Sequence, residues 1–322
     1  MLAVELQHPM LRSCMPFWTA VSQHIAGATG TPFHARRQRS VGGGCINSAY
    51  LIDDGQAAFF VKTNHADKAA MFEAESAGLT EIVASRTLRA PRPICHGVAE
   101  DRAYLVLEYI DMHAGDNRSA ERLGEQLAAM HRVSAPRFGW RIDNTIGATP
   151  QINTWTEDWI TFYSEHRLRF QLDLAARNGY RLQTPGAQLI EYLPAFFATY
   201  RPPPALLHGD LWGGNWGTDS EDKPVIFDPA LYYGDREADL AMTELFGGFP
   251  ARFYAAYAAM YPLDTGGYAV RKILYQLYHI LNHFNLFGGD YGKQASRAHD
   301  RALIGRSPVI SRIKIIYIYF LF

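Results

Sequence analysis

The stretch that decides the fold is LLHGDLWGGNWGTDSEDKPVIFD, residues 206–228. A His-Gly-Asp triplet ends at Asp210, Asn215 follows after four residues, and a short apolar run then leads to a second carboxylate, Asp228. In this order, one Asp can accept the proton of an attacking hydroxyl group, while an Asn and a second Asp can hold the metal ions that neutralise phosphates. The stretch therefore predicts phosphoryl-transfer chemistry.

The gap between Asp210 and Asn215 equals the gap in the catalytic loop of protein kinases, H-R-D-x-x-x-x-N. The alternative interpretation is a polar β-turn with a carboxylate-capped loop. That interpretation would leave Asp228 and an upstream strand lysine, Lys62, as coincidences. We therefore prefer the hypothesis that these residues form one catalytic apparatus.

Size and charge narrow the class of protein. The chain has 322 residues, of which 48% are hydrophobic, which suits a globular protein of one bilobal unit or two domains. A net charge of −1 predicts neither a nucleic-acid partner nor attraction to anionic lipid. The three cysteines are widely spaced and form no CxxC pair, and the N-terminus lacks a secretion-signal pattern, so we expect a cytoplasmic protein.

The first part of the chain predicts a helix over residues 9–27 and then a β-hairpin. Its strands, 49–52 and 57–62, are joined by an Asp-Asp-Gly turn. Glycines beside such a hairpin let main-chain N–H groups approach phosphate oxygens, although a plain turn is the simpler explanation. Asn47 stands where the kinase pattern G-x-G-x-x-G has its third glycine. The glycines concerned are Gly42, Gly43 and Gly44.

Lys62 ends the second strand of this hairpin, where kinases carry the lysine that grips the α- and β-phosphates. Taken alone, it could equally be an exposed strand-end lysine. The next segment, 68–82, predicts a helix on which either Glu73 or Glu75 could pair with Lys62. The side chains expected to face inward are Met71, Ala74, Leu79 and Ile82.

The apolar strand 103–110 ends at Glu108, Tyr109 and Ile110. This position in the order of parts suits an inter-lobe hinge, where main-chain groups bind the adenine edge. An ordinary core strand followed by a turn is the alternative.

Residues 120–131 predict an amphipathic helix with Leu123, Leu127 and Met130 inward, and residues 144–152 predict a loop. An aromatic stripe at helical spacing follows this loop, and such a stripe is typical of a protein core. It could instead line an acceptor cleft, with Arg167 or Arg169 nearby. The stripe consists of Trp155, Trp159, Phe162 and Tyr163.

Downstream of Asp228, Asp235 is predicted as a helix N-cap, with Glu237 and Asp239 in the first turn, where they complement the helix dipole and could tie the helix to the catalytic loop. A long helix over 270–287 carries two histidines, which we interpret as packing or hydrogen-bonding residues rather than metal ligands. They are His279 and His283.

Residues 313–322, IKIIYIYFLF, are too short to span a bilayer as a helix. They could be a buried strand, an aggregation-prone tail or non-native sequence.

The order of these parts resembles kinase-like folds, and the finer wording resembles the fructosamine kinase (ketosamine 3-kinase) family over about residues 8–300. The resemblance is carried by FVKTN at 60–64, MFEAE at 71–75, RLRFQLDLA at 167–175, LLHGDLWGGN at 206–215, FDPALYYGDREADLAM at 227–242, FGGFP at 246–250 and LYQLYHILNHFNLFGG at 274–289. It implies an α+β, bilobal fold with a nucleotide-binding N-lobe (1–110) and a C-lobe (111–302). The apolar tail (303–322) matches nothing in the family and has no explanation.

Residue by residue, the resemblance implies that Asp210 is the catalytic base and that Asn215 and Asp228 bind Mg²⁺. It implies that Lys62, positioned by Glu75, grips the phosphates of ATP. The glycines at 42–44 would approach the phosphates, and residues 108–110 would bind adenine.

Two further positions have implied roles. Trp212 replaces the histidine common in aminoglycoside phosphotransferases (HGDLHxGN), so its flat indole is our candidate for acceptor recognition. Cys45 occupies the place of a family cysteine linked to redox regulation, which makes a disulfide-linked dimer conceivable beside a monomer; a small hydrophobic filler is the alternative.

The implied activity is ATP-dependent phosphorylation of the 3-hydroxyl group of a free or protein-bound ketosamine, for deglycation repair. One alternative is a kinase of the same fold that acts on an aminoglycoside, choline or homoserine. Another is a nucleotide-binding pseudokinase.

Overall fold

The computed structural model describes residues 16–42, 46–180, 186–263 and 265–304. It has the predicted mixed α+β fold. The strands are β1 (Arg37–Val41), β2 (Ser48–Asp53), β3 (Ala58–His65), β4 (Pro93–Ala99), β5 (Arg102–Glu108), β6 (Asn144–Ile146), β7 (Thr149–Gln151), β8 (Ala205–Leu207), β9 (Trp216–Thr218), β10 (Pro224–Ile226) and β11 (Tyr232–Gly234). The helices are α1 (Phe17–Thr29), α2 (Ala69–Ser85), α3 (Asn117–Met130), α4 (Trp159–Tyr163), α5 (Phe170–Arg177), α6 (Gly186–Phe196), α7 (Glu237–Thr243), α8 (Ala251–Met260), α9 (Thr265–Phe287) and α10 (Tyr291–Ile304), with a 3₁₀ turn at Ala66–Lys68 and a π-helical turn at Ser164–Arg169. None of these described helices combines the length and apolar character that crossing a bilayer requires.

The chain divides into two compact units. The first takes in the chain up to Glu73 together with Pro93–Tyr109, and the second takes in Ala74–Arg92 and the chain from Ile110 onward. The predicted N-lobe, 1–110, thus contains the first unit and also the segment that groups with the second.

The first unit is an antiparallel sheet in the order β1-β2-β3-β5-β4, with α1 packed against β4. Side chains at intervals of four on α1, Phe17, Val21 and Ile25, are buried against the sheet because a helix presents such residues on one face. The helix ends at Gly30, which adopts the left-handed conformation. These contacts form a continuous core on one face of the sheet.

The predicted hairpin between β2 and β3 is present, and Asp54 explains its turn. The carboxylate of Asp54 accepts hydrogen bonds from the main-chain nitrogens of Gln56 and Ala57, each at 2.8 Å. Gly55 has φ of +94°, a conformation that glycine adopts without strain. The register that follows pairs Lys62 with Ala49.

In the second unit, helix α3 begins with a capping box between Asp116 and Ser119 and buries Leu123, Leu127 and Met130 as predicted. Helices α7 and α9 are joined by a buried, bidentate ion pair, in which Arg271 donates to Glu237 at 2.7 and 2.9 Å. The ion pair fixes the position of α9 relative to α7, the helix that follows β11.

Two expectations for the middle of the chain are wrong. Residues 144–152 are not a loop: β6 and β7 form a hairpin, because the intervening Gly147, with φ of +62°, permits a two-residue turn. Trp155 does not lie on the aromatic helix, since the side chain of Asp158 accepts from the main-chain nitrogen of Thr161 and starts the helix at Trp159. The remaining members of the stripe, Trp159, Phe162 and Tyr163, are buried as core residues.

Smaller corrections concern helix faces and ends. Met71 is only half-buried, and Phe72 is buried in its place, because Phe72 lies seven residues before Leu79 on the same helical face. The N-cap of α7 is Arg236 rather than Asp235, although Asp235 still accepts from the main-chain nitrogen of Glu237 at 3.0 Å. The predicted start of α1 before residue 16 and the apolar tail lie outside the described residues.

Candidate active site

The catalytic turn follows β8 and depends on one glycine. Gly209 has φ of +83°, and a Cβ atom at this position would lie 2.1 Å from the carbonyl oxygen of Ala230. The main-chain nitrogen of Ala230 donates in turn to the carbonyl oxygen of His208 at 2.9 Å. Only glycine can occupy this crossing, which turns the chain so that Asp210 follows directly after the buried strand.

Asp210 and Asn215 lie beside each other, as the sequence predicts. The side-chain nitrogen of Asn215 donates to the main-chain oxygen of Asp210 at 2.8 Å and lies 3.4 Å from its carboxylate oxygen Oδ2. The turn between them is closed by the main-chain nitrogen of Asn215, which donates to the carbonyl oxygen of Trp212 at 3.0 Å. Because the amide nitrogen of Asn215 is engaged in this way, its Oδ1 atom remains as an oxygen ligand.

Asp228 follows β10 and is tied to the same turn through the main chain. The nitrogen of Phe227 donates to the carbonyl oxygen of Asn215 at 3.1 Å. Asp228 itself is exposed and has φ of +58°, which is uncommon for a residue with a side chain and is found at functional sites. Asp228 and Asn215 therefore belong to one local cluster.

The imidazole of His208 connects the two strands that carry these carboxylates. Its Nδ1 atom accepts from the main-chain nitrogen of Asp210 at 3.2 Å, so its Nε2–H donates to the carbonyl oxygen of Phe227 at 2.9 Å. The residue is buried, and this burial lowers the pKa of its imidazole, which keeps the ring neutral. A neutral ring is required, because one nitrogen accepts and the other donates.

Asp239, in the first turn of α7, is hydrogen-bonded to the main chain of the catalytic turn. Its two carboxylate oxygens accept hydrogen bonds from the main-chain nitrogens of His208 at 2.7 Å and Gly209 at 2.8 Å. His131 Nε2 lies 3.2 Å from the same carboxylate. Burial alone would raise the pKa of Asp239, but the hydrogen bond and charge of His131 bring it below its usual value. The expectation that this acidic turn ties the helix to the catalytic loop is confirmed.

The environment of Asp210 strengthens it as a proton acceptor. Burial raises the pKa of its carboxyl group well above the usual value, and the negative charges of Asp228 and Asp239 raise it further. The hydrogen bond from Asn215 opposes this shift. A carboxylate with a raised pKa takes up a proton more readily in a transition state. The arrangement can therefore remove a proton from a hydroxyl group placed beside Asp210.

Trp212, the candidate for acceptor recognition, is 39% exposed. Its indole lies over Gly214, where a Cβ atom would be 2.4 Å from the ring, while a Cβ atom at Gly213 would meet nothing within 4 Å. The ring of Phe246 approaches the indole edge-on, with centroids 6.3 Å apart. Phe246 belongs to the FGGFP motif, for which the sequence alone indicates no role, and it lies beside the candidate acceptor residue.

Helix α2 is fastened to the segment that follows Asp228 through a residue that sequence reasoning missed. The carboxylate of Glu81 accepts from the indole nitrogen of Trp140 at 2.7 Å and from the hydroxyl of Tyr233 at 2.8 Å. One turn earlier, a Cβ atom at Gly78 would lie 3.3 Å from Leu231. The helix and this segment are therefore in close contact.

A set of buried polar side chains, which we call the polar frame, forms hydrogen bonds with the main chain of the segment after Asp228. Asn144 donates to the carbonyl oxygen of Leu231 at 2.8 Å, and Gln151 donates to that of Ala230 at 3.0 Å. Arg167 is part of this frame: it is fully buried and donates to Asn153 Oδ1 at 2.7 Å, so its alternative role in an acceptor cleft is wrong. These residues position the main chain after Asp228.

In the first unit, Lys62 lies on β3 and is only 6% exposed, so its side chain does not face bulk solvent. Glu73 is exposed, as expected for a solvated charge, and Glu75 is half-buried. Lys62 and Glu75 fall in different units, and their pairing stays a prediction. The division between the units falls directly after Tyr109, within the predicted hinge.

The strand motif also contacts the two residues that precede β2, Ile46 and Asn47. The side-chain amide of Asn64 donates to the carbonyl oxygen of Ile46 at 3.1 Å and to Asn47 Oδ1 at 2.8 Å. Gly42 is described, and a Cβ atom there would meet nothing within 4 Å. The predicted sites at Gly43, Gly44 and Cys45 lie outside the described residues.

Comparison with known proteins decides the family. The sequence model described as fructosamine kinase matches residues 17–304. The chain belongs to the fructosamine kinase family. This fructosamine kinase family member is 50% identical over 281 residues to a protein of Synechocystis sp. named as a probable ketoamine kinase, with 87% of this chain and 95% of the relative covered. It is 46% identical over 262 residues to the chloroplastic protein-ribulosamine 3-kinase of Arabidopsis thaliana, with 80% and 79% covered.

Solved structures agree with this assignment. A Haemophilus somnus 129PT crystal structure described as that of a fructosamine-3-kinase superposes with a TM-score of 0.84 at 29% identity, covering 89% of this chain and 97% of that one. A thermostable mutant of the aminoglycoside phosphotransferase APH(4)-Ia has a TM-score of 0.55 at 15% identity, with 89% of this chain and 99% of that chain covered, which shows a shared fold alone. The fructosamine kinase family member is a phosphotransferase with the predicted kinase-like fold.

Proposed function

We propose that this enzyme transfers the γ-phosphoryl group of ATP to the 3-hydroxyl group of a ketosamine. The observation that carries the proposal is the cluster of Asp210, Asn215 and Asp228 around one turn in a chain of the fructosamine kinase family. The names of the relatives, ketoamine kinase and protein-ribulosamine 3-kinase, support a sugar-amine acceptor.

The residues of the catalytic turn fit Mg²⁺. This ion prefers oxygen ligands and is usually held by one or two carboxylates together with substrate phosphates. Asn215 retains its Oδ1 atom, because its amide nitrogen donates to Asp210, and Asp228 has an exposed carboxylate. Asn215 and Asp228 would hold the ion, which supplies neutralisation of negative charge on the phosphate oxygens when bound.

In the proposed mechanism, Asp210 accepts the proton of the acceptor hydroxyl group. The hydroxyl oxygen attacks the γ-phosphorus of ATP in line, the bond to the β,γ-bridging oxygen breaks, and ADP leaves. The raised pKa of Asp210 favours the proton transfer. His208 and Asp239 keep the turn in one conformation through buried hydrogen bonds, so that the base does not reorganise during the reaction. Lys62, with Glu75, would grip the α- and β-phosphates of ATP, and the segments 42–44 and 108–110 would bind the phosphates and adenine.

Trp212 is our candidate to bind the sugar-derived chain of the acceptor, since its exposed indole offers a flat apolar surface. By resemblance to the family, the 3-phosphate product releases the amine, which would make the enzyme a repair enzyme for glycated amines. We further propose a cytoplasmic location. Redox regulation through Cys45 stays a prediction. Another cysteine, Cys95, is unreactive, because burial raises the pKa of its thiol to about 12.

An acceptor panel tests the proposal. Purified enzyme is incubated with ATP and Mg²⁺ and with fructosamine, ribulosamine or erythrulosamine of lysine, or with kanamycin or choline, and the phosphorylated product is identified by ³¹P NMR. We expect a 3-phosphate on at least one ketosamine and none on kanamycin or choline. Phosphorylation of kanamycin or choline without any ketosamine product would reject the proposal. ATP binding without any turnover would favour a pseudokinase.

A further inference from the structure

One face of α9 carries aromatic side chains whose exposure rises along the helix. His279, His283 and Phe287 are spaced by four residues and therefore lie on one helical face. His279 is 4% exposed, His283 is half-buried and Phe287 is 53% exposed. A single exposed aromatic residue is common, but one that continues a row of aromatic side chains belongs to a contiguous patch, and such patches mark binding sites.

This face is continuous with the candidate acceptor residue. The ring of Phe246 lies 4.7 Å from the ring of His283 and 6.3 Å from that of Trp212, measured between centroids. The ring of His283 also lies 5.8 Å from that of Phe287 and 5.2 Å from that of Tyr291. We name Trp212, Phe246, His283, Phe287 and Tyr291 the aromatic shelf. One member, Trp212, is two residues from Asp210 in the sequence.

The shelf contains a hydrogen-bond acceptor at His283. Its Nδ1–H must donate to the carbonyl oxygen of His279 at 2.9 Å, because a carbonyl can only accept. The lone pair therefore resides on Nε2, which has no hydrogen-bond partner among the described residues. Burial lowers the pKa of this imidazole, which keeps the ring neutral and Nε2 an acceptor.

We propose that the aromatic shelf binds the amine of the ketosamine, whose N–H group donates to His283 Nε2 while the rings of Phe246 and Phe287 flank its positive charge. The inference rests on the proposed function. A ketosamine amine is a secondary amine, and it is protonated at neutral pH, as the primary amine of a lysine side chain is. Such a cation is attracted to aromatic faces and forms charge-assisted hydrogen bonds with neutral acceptors.

Around His283 the shelf favours the amine, whereas Trp212 remains the candidate for the sugar-derived chain. Among Phe246, His283 and Phe287, only the imidazole carries polar side-chain atoms, so the hydroxyl groups of a sugar chain would find few partners there. The ammonium needs one acceptor and aromatic faces. The aliphatic chain beyond the amine would then cross Phe287 and Tyr291, which suits a lysine side chain.

The test compares two acceptors in matched variants. One is the lysine-linked ketosamine, and the other is the same 1-deoxyketose without the amine; dissociation constants are measured by calorimetry without ATP, beside kcat/KM for the ketosamine. His283→Phe keeps an aromatic ring and removes the acceptor nitrogen. It should weaken binding of the ketosamine by about 10- to 100-fold, as expected for a lost hydrogen bond to a charged group. Binding of the amine-free ketose should change by less than about twofold.

Two further variants strengthen the test. His283→Gln keeps a side-chain acceptor and should recover most of the lost affinity. Phe287→Ala should weaken binding of the ketosamine by about three- to tenfold. The control is Tyr192→Ala, which removes an aromatic ring that is 47% exposed on α6 and should not change the affinity.

The inference would be overturned if His283→Phe weakened the binding of both acceptors equally, or if it weakened the binding of neither. Circular dichroism and the ATP dissociation constant serve as folding controls. If wild-type enzyme phosphorylates no ketosamine, the proposed function itself fails. If wild-type enzyme phosphorylates a ketosamine, but His283→Phe has the same ratio of dissociation constants for the two acceptors as wild type, only the proposed amine site fails.

Discussion

The carboxylate of Asp239 accepts a hydrogen bond from the main-chain nitrogen of Gly209 at 2.8 Å. The conformation of the catalytic turn is therefore set by a side chain from a helix that follows it by 30 residues. Asp239→Asn keeps the size of the side chain and removes one of the two acceptors. We expect kcat to fall by about 10- to 100-fold, because the position of Asp210 depends on this turn. Steady-state kinetics check the result, with the exposed Asp173→Asn as the matched control.

The same variant has an expected pH signature. The negative charge of Asp239 raises the pKa of Asp210, so its removal lowers that pKa and lets the base lose its proton at lower pH. The acid limb of the kcat/KM profile should therefore move to lower pH. A purely structural loss would reduce activity at every pH and leave the limb where it is.

The bond between Glu81 and Tyr233 predicts coupling between α2 and the segment after Asp228. Glu81→Leu leaves the indole N–H of Trp140 and the hydroxyl of Tyr233 without their acceptor, so the free energy of unfolding should fall by about 1–3 kcal/mol. Combined with Tyr233→Phe in a double-mutant cycle, it should show a coupling energy of about 0.5–3 kcal/mol. Denaturant unfolding measures both. Additive effects of the two changes would show that the bond contributes nothing to stability.

Two adjacent glycines provide a matched pair for Trp212. In Gly214→Ala the new methyl group would lie 2.4 Å from the indole, which must move, whereas Gly213→Ala meets nothing. We expect the first variant to raise KM for the acceptor by about tenfold with KM for ATP unchanged, and the second to behave as wild type. Equal kinetics in the two variants would remove Trp212 from acceptor binding.

The amide of Asn64 predicts a role for β3 beyond Lys62. Asn64→Asp keeps the shape of the side chain but replaces the donor by an acceptor opposite Ile46 and Asn47. Ile46 and Asn47 would lose these hydrogen bonds beside the predicted phosphate-binding segment 42–44. We therefore expect KM for ATP to rise by about three- to tenfold while KM for the acceptor stays unchanged. The exposed Gln56→Glu, which also changes an amide to a carboxylate, is the control. An effect confined to the acceptor would contradict this assignment.

What the sequence predicts well is local. Asp210 and Asn215 lie on one turn, so their spacing alone indicates that their side chains are close together. The Asp-Asp-Gly sequence likewise predicts the hairpin that contains Lys62. The expectation for Asp239 succeeded for a related reason, since a carboxylate in the first turn of a helix is easily read as an anchor. These features depend on few residues and on fixed backbone geometry.

What escaped prediction depends on distant parts of the chain. Glu81 and Tyr233 are 152 residues apart, and no periodicity indicates that this glutamate will accept hydrogen bonds from two buried aromatic residues, Trp140 and Tyr233. The β6–β7 hairpin was missed although Gly147 marks its turn, because the strands are only three residues long. Arg167 was misplaced because burial of an arginine requires acceptors, here Ile152 and Asn153, that only the fold brings to it.

The central claim is that Asp210 is the base of a ketosamine kinase, and one comparison tests it most directly. Wild-type enzyme and Asp210→Asn are assayed for phosphoryl transfer from ATP to a lysine-linked ribulosamine, with ATP affinity measured in parallel. The account predicts that the variant loses about 10²- to 10⁴-fold in kcat while its dissociation constant for ATP changes little. Turnover close to that of wild type would contradict it.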